Sequence, residues 1–218
     1  FADGMTEDLI TDLSKISGLF VPARNSSFAF KGQAIDVEDA AKKLRVRHVL
    51  EGSVRKAGNK VRINAQLIDA STSGHIWAER YDGDFDDIFA LQDNITSQIV
   101  AALKVSLTAS DKAEVESKMT SSAEAYDLFL RGRAEYYKYS LEHNIRATEL
   151  FRQAIATDPD FAEAYSFLSY TLFSGHAHSM VGFEHNWDMA LEVAEKAVSL
   201  KPDSALALTR LAWVQGFL

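Results

Sequence analysis

Two stretches near the C-terminus repeat one pattern, and that repetition limits the fold more than any other feature of the sequence. Ala147, Phe151 and Ala154 precede Asp158-Pro159-Asp160, and Ala190, Ala194 and Ala197 precede Lys201-Pro202-Asp203. The two prolines lie 43 residues apart. Small residues at helical spacing let helix axes approach closely, and a proline just beyond them prevents the helix from continuing. One helical pair cannot bury its apolar face alone, so such a pattern calls for stacked neighbours that share a core. Residues 123–218 therefore read as paired helices over 126–139, 144–157, 162–173 and 187–200, then a half-pair over 205–218. Gly132 sits at a close-packing position in the first of these, and an insertion around 174–186 absorbs the extra length of the second pair. The half-pair leaves Leu208, Leu211, Trp213 and Val214 as an apolar face to be covered by further repeats or by a partner chain.

The pattern is different before residue 108. Met5, Leu9, Leu13 and Ile16 recur at helical spacing, with Asp3 or Thr6 as cap and Gly18 as stop. Leu19-Phe20-Val21 reads as a short buried strand ended by Pro22, and residues 24–32 as a loop in which Phe28 and Phe30 plug the core. Residues 36–44 form a second helix with acids first and bases last, the order the helix dipole favours. Three strands follow as a meander over 46–56, 61–69 and 76–81. Gly58-Asn59 is a two-residue hairpin signal. Val61, Ile63, Ala65 and Leu67 alternate with Arg62, Asn64 and Gln66, the mark of a sheet with one buried face. Asp84, Asp86 and Asp87 open a long helix with the stripe Ile88, Leu91, Ile95, Ile99, Leu103 and Leu107. The expected organisation is an α/β N-terminal domain over 1–107 (a mixed sheet with an antiparallel meander and helices packed on it), a polar helical or flexible connector over 108–122, and all-α repeats over 123–218.

Charge narrows the function classes. The net charge is −8, with −2 carried through Thr108 and −6 by the remainder. A general nucleic-acid binder is usually basic, so no nucleic acid is expected on this region. The chain has no cysteine, which excludes disulfides and thiolate metal sites. No apolar run approaches the ~20 residues of a membrane span. A first residue of Phe leads us to expect a longer parent.

The blocks FADGMTEDLITDLSKI, VPARNSSFAFKG, VRHVLEGSVRKAGNKVRINAQLIDASTSGHIWAERYD and DIFALQDNI resemble those of a TolB amino-terminal-type α/β domain followed by tetratricopeptide repeats. A tetratricopeptide unit is typically about 34 residues, two helices with small residues at their crossing. In bacteria such a region usually follows a class III adenylate or guanylate cyclase domain, or a winged-helix DNA-binding domain. The resemblance covers nearly the whole chain. It implies a non-catalytic regulatory or scaffolding region, cytoplasmic, with no cofactor, that binds a protein partner or itself. It also implies one further apolar strand before FADG, whose absence leaves a gap or unpaired edge in the sheet. An accessory region of a winged-helix regulator and a small-molecule sensor in the α/β domain are the alternatives.

Five groups were weighed for chemistry. Asp3 within FADG superficially resembles a metal-binding aspartate of a cyclase, but no second aspartate follows on a matching strand, and a helix start explains it. Residues 42–62 hold eight bases and one acid, Glu51; Arg55 and Arg62 are its candidates for an anionic partner surface, against the reading of a helix end and a solvated sheet face. His176, His178 and His185 can ligate a metal only with companions that the spacing does not supply, so metal is not expected. Arg24-Asn25-Ser26-Ser27 follows a strand, where α/β sheets often bind ligands, but lacks a Gly-rich phosphate fingerprint; a structural tie is the simpler reading. Among Tyr126, Tyr136, Tyr137, Tyr139, Tyr165, Tyr170, Trp187 and Trp213, most are expected in the core. Tyr136, Tyr139, Tyr165 and Trp213 are the candidates for a peptide groove.

Overall fold

A computed structural model describes residues 1–177 and 187–216. The chain divides into an α/β unit, Ala2–Lys118, and a helical unit from Met119 onward. The connector therefore does not stand apart from the first unit. Its residues form a helix, α5, that is tied back to that unit.

In the α/β unit, α1 (Ala2–Ser14), α2 (Arg24–Phe28) and α3 (Val37–Leu44) precede β1 (His48–Ala57), β2 (Lys60–Asp69) and β3 (Gly74–Asp84). The strands form an antiparallel sheet in the order β1-β2-β3. Gly58, at φ +57°, turns β1 into β2, and a bulge between Leu67 and Ile68 shifts the register of β3. Val61, Ile63, Ala65 and Leu67 are buried, while Arg62 and Asn64 face solvent. A 3₁₀ turn (Phe85–Asp87) leads into α4 (Ile88–Leu103), which buries Ile88, Ile95 and Ile99. Helix α5 (Ala109–Glu116) opens with a capping box between Thr108 and Asp111. The Asp111 carboxylate also accepts from the Ser17 backbone N–H at 3.0 Å, which anchors α5 beside the end of α1.

Several expectations need correction here. Leu19–Val21 pairs with no strand, and Phe20 is 75% exposed. A lone extended segment without a neighbour has no ladder to join, so the sheet is purely antiparallel rather than mixed. Residues 24–28 are helical, not loop. Phe28 and Phe30 are only half-buried; each offers a ring face to a cation, Arg24 at 4.1 Å and Lys43 at 5.9 Å. Asp3 lies inside the first turn of α1 rather than before it. Leu107 falls beyond α4, because Lys104 adopts a left-handed C-cap.

The helical unit contains α6 (Ala123–Tyr136), α7 (Leu141–Thr157), α8 (Ala162–Ala177), α9 (Trp187–Leu200) and α10 (Ala205–Gln215). Helix α6 packs on α7, α8 on both α7 and α9, and α10 on α8 and α9. Ser122, Ser140 and Ser204 each cap a helix by accepting a backbone N–H three residues on. The alanines named above, Ala147, Ala154, Ala190, Ala194 and Ala197, are all fully buried, as close helix crossings require. Gly132 is needed for the same reason: a Cβ there would lie 2.6 Å from the Phe151 ring. Phe129, Phe151, Phe161 and Phe167 form a ring cluster with centroids 4.8–5.8 Å apart. Helix α8 runs through residues 174–177, where an insertion was expected, and the remainder of that insertion lies outside the described residues. On α10, Leu208 and Trp213 are each 47% exposed, but Val214 is buried, so the uncovered face is narrower than expected.

Candidate partner-binding surface

Spacing on three helices builds the site. Residues three apart share a helix face. Phe167 and Tyr170 therefore project together from α8, and Arg210 and Trp213 together from α10. Tyr136 ends α6, and Tyr139 follows in the turn to α7 with φ +51°. The rings form a row. Tyr139 lies 6.0 Å from Tyr136, Tyr136 lies 5.5 Å from Tyr170, and Tyr170 lies 5.2 Å from Trp213. Phe167 supports the row edge-on, 5.6 Å from Tyr136. Tyr139 is 79% exposed, whereas Tyr136 and Tyr170 are half-buried. Burial pushes the Tyr136 phenol well above its ordinary value, so it stays a neutral hydroxyl.

Arg210 gives the row its charge. Its guanidinium lies 4.0 Å over Tyr170, 5.4 Å from the Trp213 ring and 5.7 Å from Phe167. Its Nε–H is buried and donates to no acceptor among the described residues. Among the described residues it forms no ion pair. The row and this cation suit a ligand that offers apolar groups together with an acceptor.

The residues singled out in the sequence are distributed unevenly. Tyr136, Tyr139 and Trp213 meet in the row. Tyr165 does not: it faces Asp158 and Asp160, and burial followed by those two charges raises its phenol pKa. Tyr126 is fully buried core, and Trp187 packs edge-on against Phe173 at 5.8 Å. Tyr170, which is not among the sequence candidates for a groove, joins the row, as does Arg210. The three-residue spacing from Arg210 to Trp213 was the available signal.

Half of the basic run is neutralised. Lys42 pairs with Glu38, Arg47 with Asp69, Lys60 with Asp84 and Arg62 with Asp82. The Arg47 hydrogen bond, with Ser71 behind it, holds the Asp69 carboxyl far below the usual range. Arg55 alone stands exposed on the open sheet face without a charged partner among the described residues. Arg24 bonds Glu7 at 2.8 Å and so ties α2 to α1. Asp3 pairs with Lys31 at 2.6 Å. His178 and His185 lie outside the described residues, as does the side chain of His176. No cluster of three metal-binding side chains occurs among the described residues.

A second feature lies in the α/β unit. A cavity of about 1360 Å³ is lined by Val49, Leu50 and Val54 of β1, by Leu19, Phe20 and Phe28, and by residues of β2 and α4 such as Ile63 and Ile99. Among the described residues, no strand lies beside the outer edge of β1.

No described helix is long and apolar enough to cross a membrane. No family model matches the chain. The chain is similar to a protein of Rhizobium meliloti (strain 1021) named "Putative adenylate cyclase 3", with 47% identity over 199 residues. That match takes in 91% of this chain and 34% of the relative, so the chain spans about a third of the length of the curated protein it resembles.

Proposed function

We propose that this chain is a non-catalytic regulatory and protein-interaction region of a bacterial signalling protein of the adenylate cyclase type, working in the cytoplasm. In this reading the helical unit is an array of tetratricopeptide-type repeats, the α/β unit is of the TolB amino-terminal type, and the array holds a protein partner or a second copy. One observation carries it: half-exposed rings from α6, α8 and α10 line up on a single face with an unpaired arginine between them. Large rigid rings of this kind are the usual anchors of protein interfaces. The partial match to a cyclase-named relative supports a place beside an output domain rather than the output itself.

Two measurements test the reading. The chain incubated with ATP and manganese is expected to form no cyclic AMP, and formation above the blank would refute the non-catalytic assignment. In the full-length parent, Tyr170→Ala with Trp213→Ala is expected to abolish any partner-dependent change in cyclase output. An unaltered response would remove the helical face from the regulation.

The cavity beside β1 favours a second reading, small-molecule sensing by the α/β unit. The same slot also suits the extra apolar strand that the family resemblance implies. A thermal-shift screen with nucleotides, sugars and lipids separates these. A saturable rise in melting temperature with one compound supports sensing, and none with any compound favours the strand.

A further inference from the structure

We infer that α5 is a strap that opens without unfolding the α/β unit, and that its release gives slack to the chain that joins the two units. The inference goes beyond the partner-binding reading and does not depend on it. Helix α5 is held by its ends. At the first end the Asp111 carboxylate accepts from the Ser17 backbone N–H at 3.0 Å, from the Ser17 hydroxyl at 3.2 Å and from the Thr108 N–H at 2.8 Å. Two residues past the other end, the Lys118 ammonium pairs with Asp93 of α4 at 3.4 Å and lies 5.9 Å from the centre of the Phe89 ring. Between these ties little is buried. Among residues 109–113, whose surroundings are described, Asp111 alone is buried. Helix α4, by contrast, buries Ile88, Ile95 and Ile99. A helix of eight residues is too short to persist in water by itself, so α5 draws its order from the ties.

The chain is fixed again just beyond. Thr120 donates its hydroxyl to Asp158, the C-cap of α7, and accepts the Ser122 N–H at 3.0 Å, while Ser122 caps α6. With the strap closed, Met119 is the sole residue between the Lys118 and Thr120 anchors. With Lys118 released and Asp111 still bonded to Ser17, residues 112–119 come free, a stretch of up to about 28 Å when extended. The two ties differ in kind. Lys118 and Asp93 are 48% and 51% exposed, so salt screens their attraction. Asp111 is 4% exposed and holds backbone donors at contact, which salt barely reaches. Opening therefore starts at Lys118 and responds to ionic strength.

Hydrogen exchange of the whole chain, followed by mass spectrometry in peptides covering residues 109–118, reads the opening directly. At low salt the α5 amides are expected to be protected, yet to exchange well ahead of those of α4. Raising sodium chloride from about 20 mM to about 500 mM should speed them roughly two- to fourfold and leave α4 at its own rate. Lys118→Gln should give the same acceleration at low salt and leave nothing for salt to add. Asp111→Ala should speed α5 about tenfold and keep the salt response. Lys42→Gln, which removes an exposed pair elsewhere in the α/β unit, should change neither. Exchange of α5 as slow as that of α4 overturns the strap, because the helix would then open only with the whole unit. Amides of α5 that are unprotected at low salt overturn it equally, because no closed state exists. Lys118→Gln is a change at an exposed residue and tests the latch whether or not Asp111→Ala folds. A salt response that survives it, or an acceleration that it spreads to α4, refutes the proposal.

Discussion

The sheet of the α/β unit and the ring row of the helical unit differ in what their cations meet. In the α/β unit, Arg24, Arg47, Lys60 and Arg62 each meet a carboxylate, and with Lys42 half of the strongest basic run in the sequence forms ion pairs. In the helical unit, Arg210 sits among rings and pairs with no carboxylate among the described residues. A run of bases therefore need not make a uniformly basic surface, and one cation without a counter-ion among the described residues stands out. A meander brings acids from adjacent strands opposite the bases, as Asp82 on β3 stands opposite Arg62 on β2. Stacked helices bring together residues that only the three-dimensional packing makes neighbours.

The largest expected effect tests whether the units are separable. Phe151 is fully buried and touches Phe129 and Phe167. Phe151→Ala should cost the helical unit about 3–5 kcal/mol. With Trp187 and Trp213 replaced by Phe, Trp77 reports the α/β unit alone, and its unfolding midpoint should not move while the helical circular dichroism melts early. A joint shift would mean that the units unfold as one.

Next comes Gly132→Ala. A glycine-to-alanine change inside a helix ordinarily stabilises by about 1 kcal/mol. Here the new methyl meets the Phe151 ring, so a loss of about 1–3 kcal/mol is expected instead. A raised midpoint in urea would show that the close crossing is not tight.

The acid limb should separate the units more gently. Backbone N–H groups of Ser17 and Thr108 hold the Asp111 carboxyl down to about 2. A depressed folded pKa stabilises above the unfolded value near 4, and that stabilisation is lost as pH falls toward 2. Asp111→Asn should flatten this part of the midpoint-against-pH curve, and an unaltered slope would remove Asp111 from it. The smallest effect is expected from Arg55→Gln with Arg62→Gln, less than about 2 °C in the melt, because exposed pairs contribute little. A larger drop would restore the basic run as a structural element.

The strand alternation of Val61–Leu67, the Gly58-Asn59 turn and the alanine repeat were legible because each is a local rule: period two, a positive φ, a small residue at a crossing. Leu19–Val21 misled, since an apolar triplet has strand character only when a neighbour is present to bond it. The end of α4 was overrun because the stripe extends to Leu107 while Lys104 has already left the helix. The site was half legible. Aromatic spacing found Tyr136, Tyr139 and Trp213, yet could not separate Tyr165 from Tyr170, which lie on different sides of α8. For Arg210 the sequence offered only its three-residue spacing to Trp213, because being unpaired is a property of surroundings.

Tyr139 has a wider consequence. A bulky residue at φ +51° is held in a backbone state that costs about 1–2 kcal/mol and that glycine adopts freely. The turn between α6 and α7 thus keeps a phenol outside, against the interest of its own folding. Tyr139→Gly should make a sturdier molecule without this exposed ring, so selection for thermal endurance alone would wear the face away.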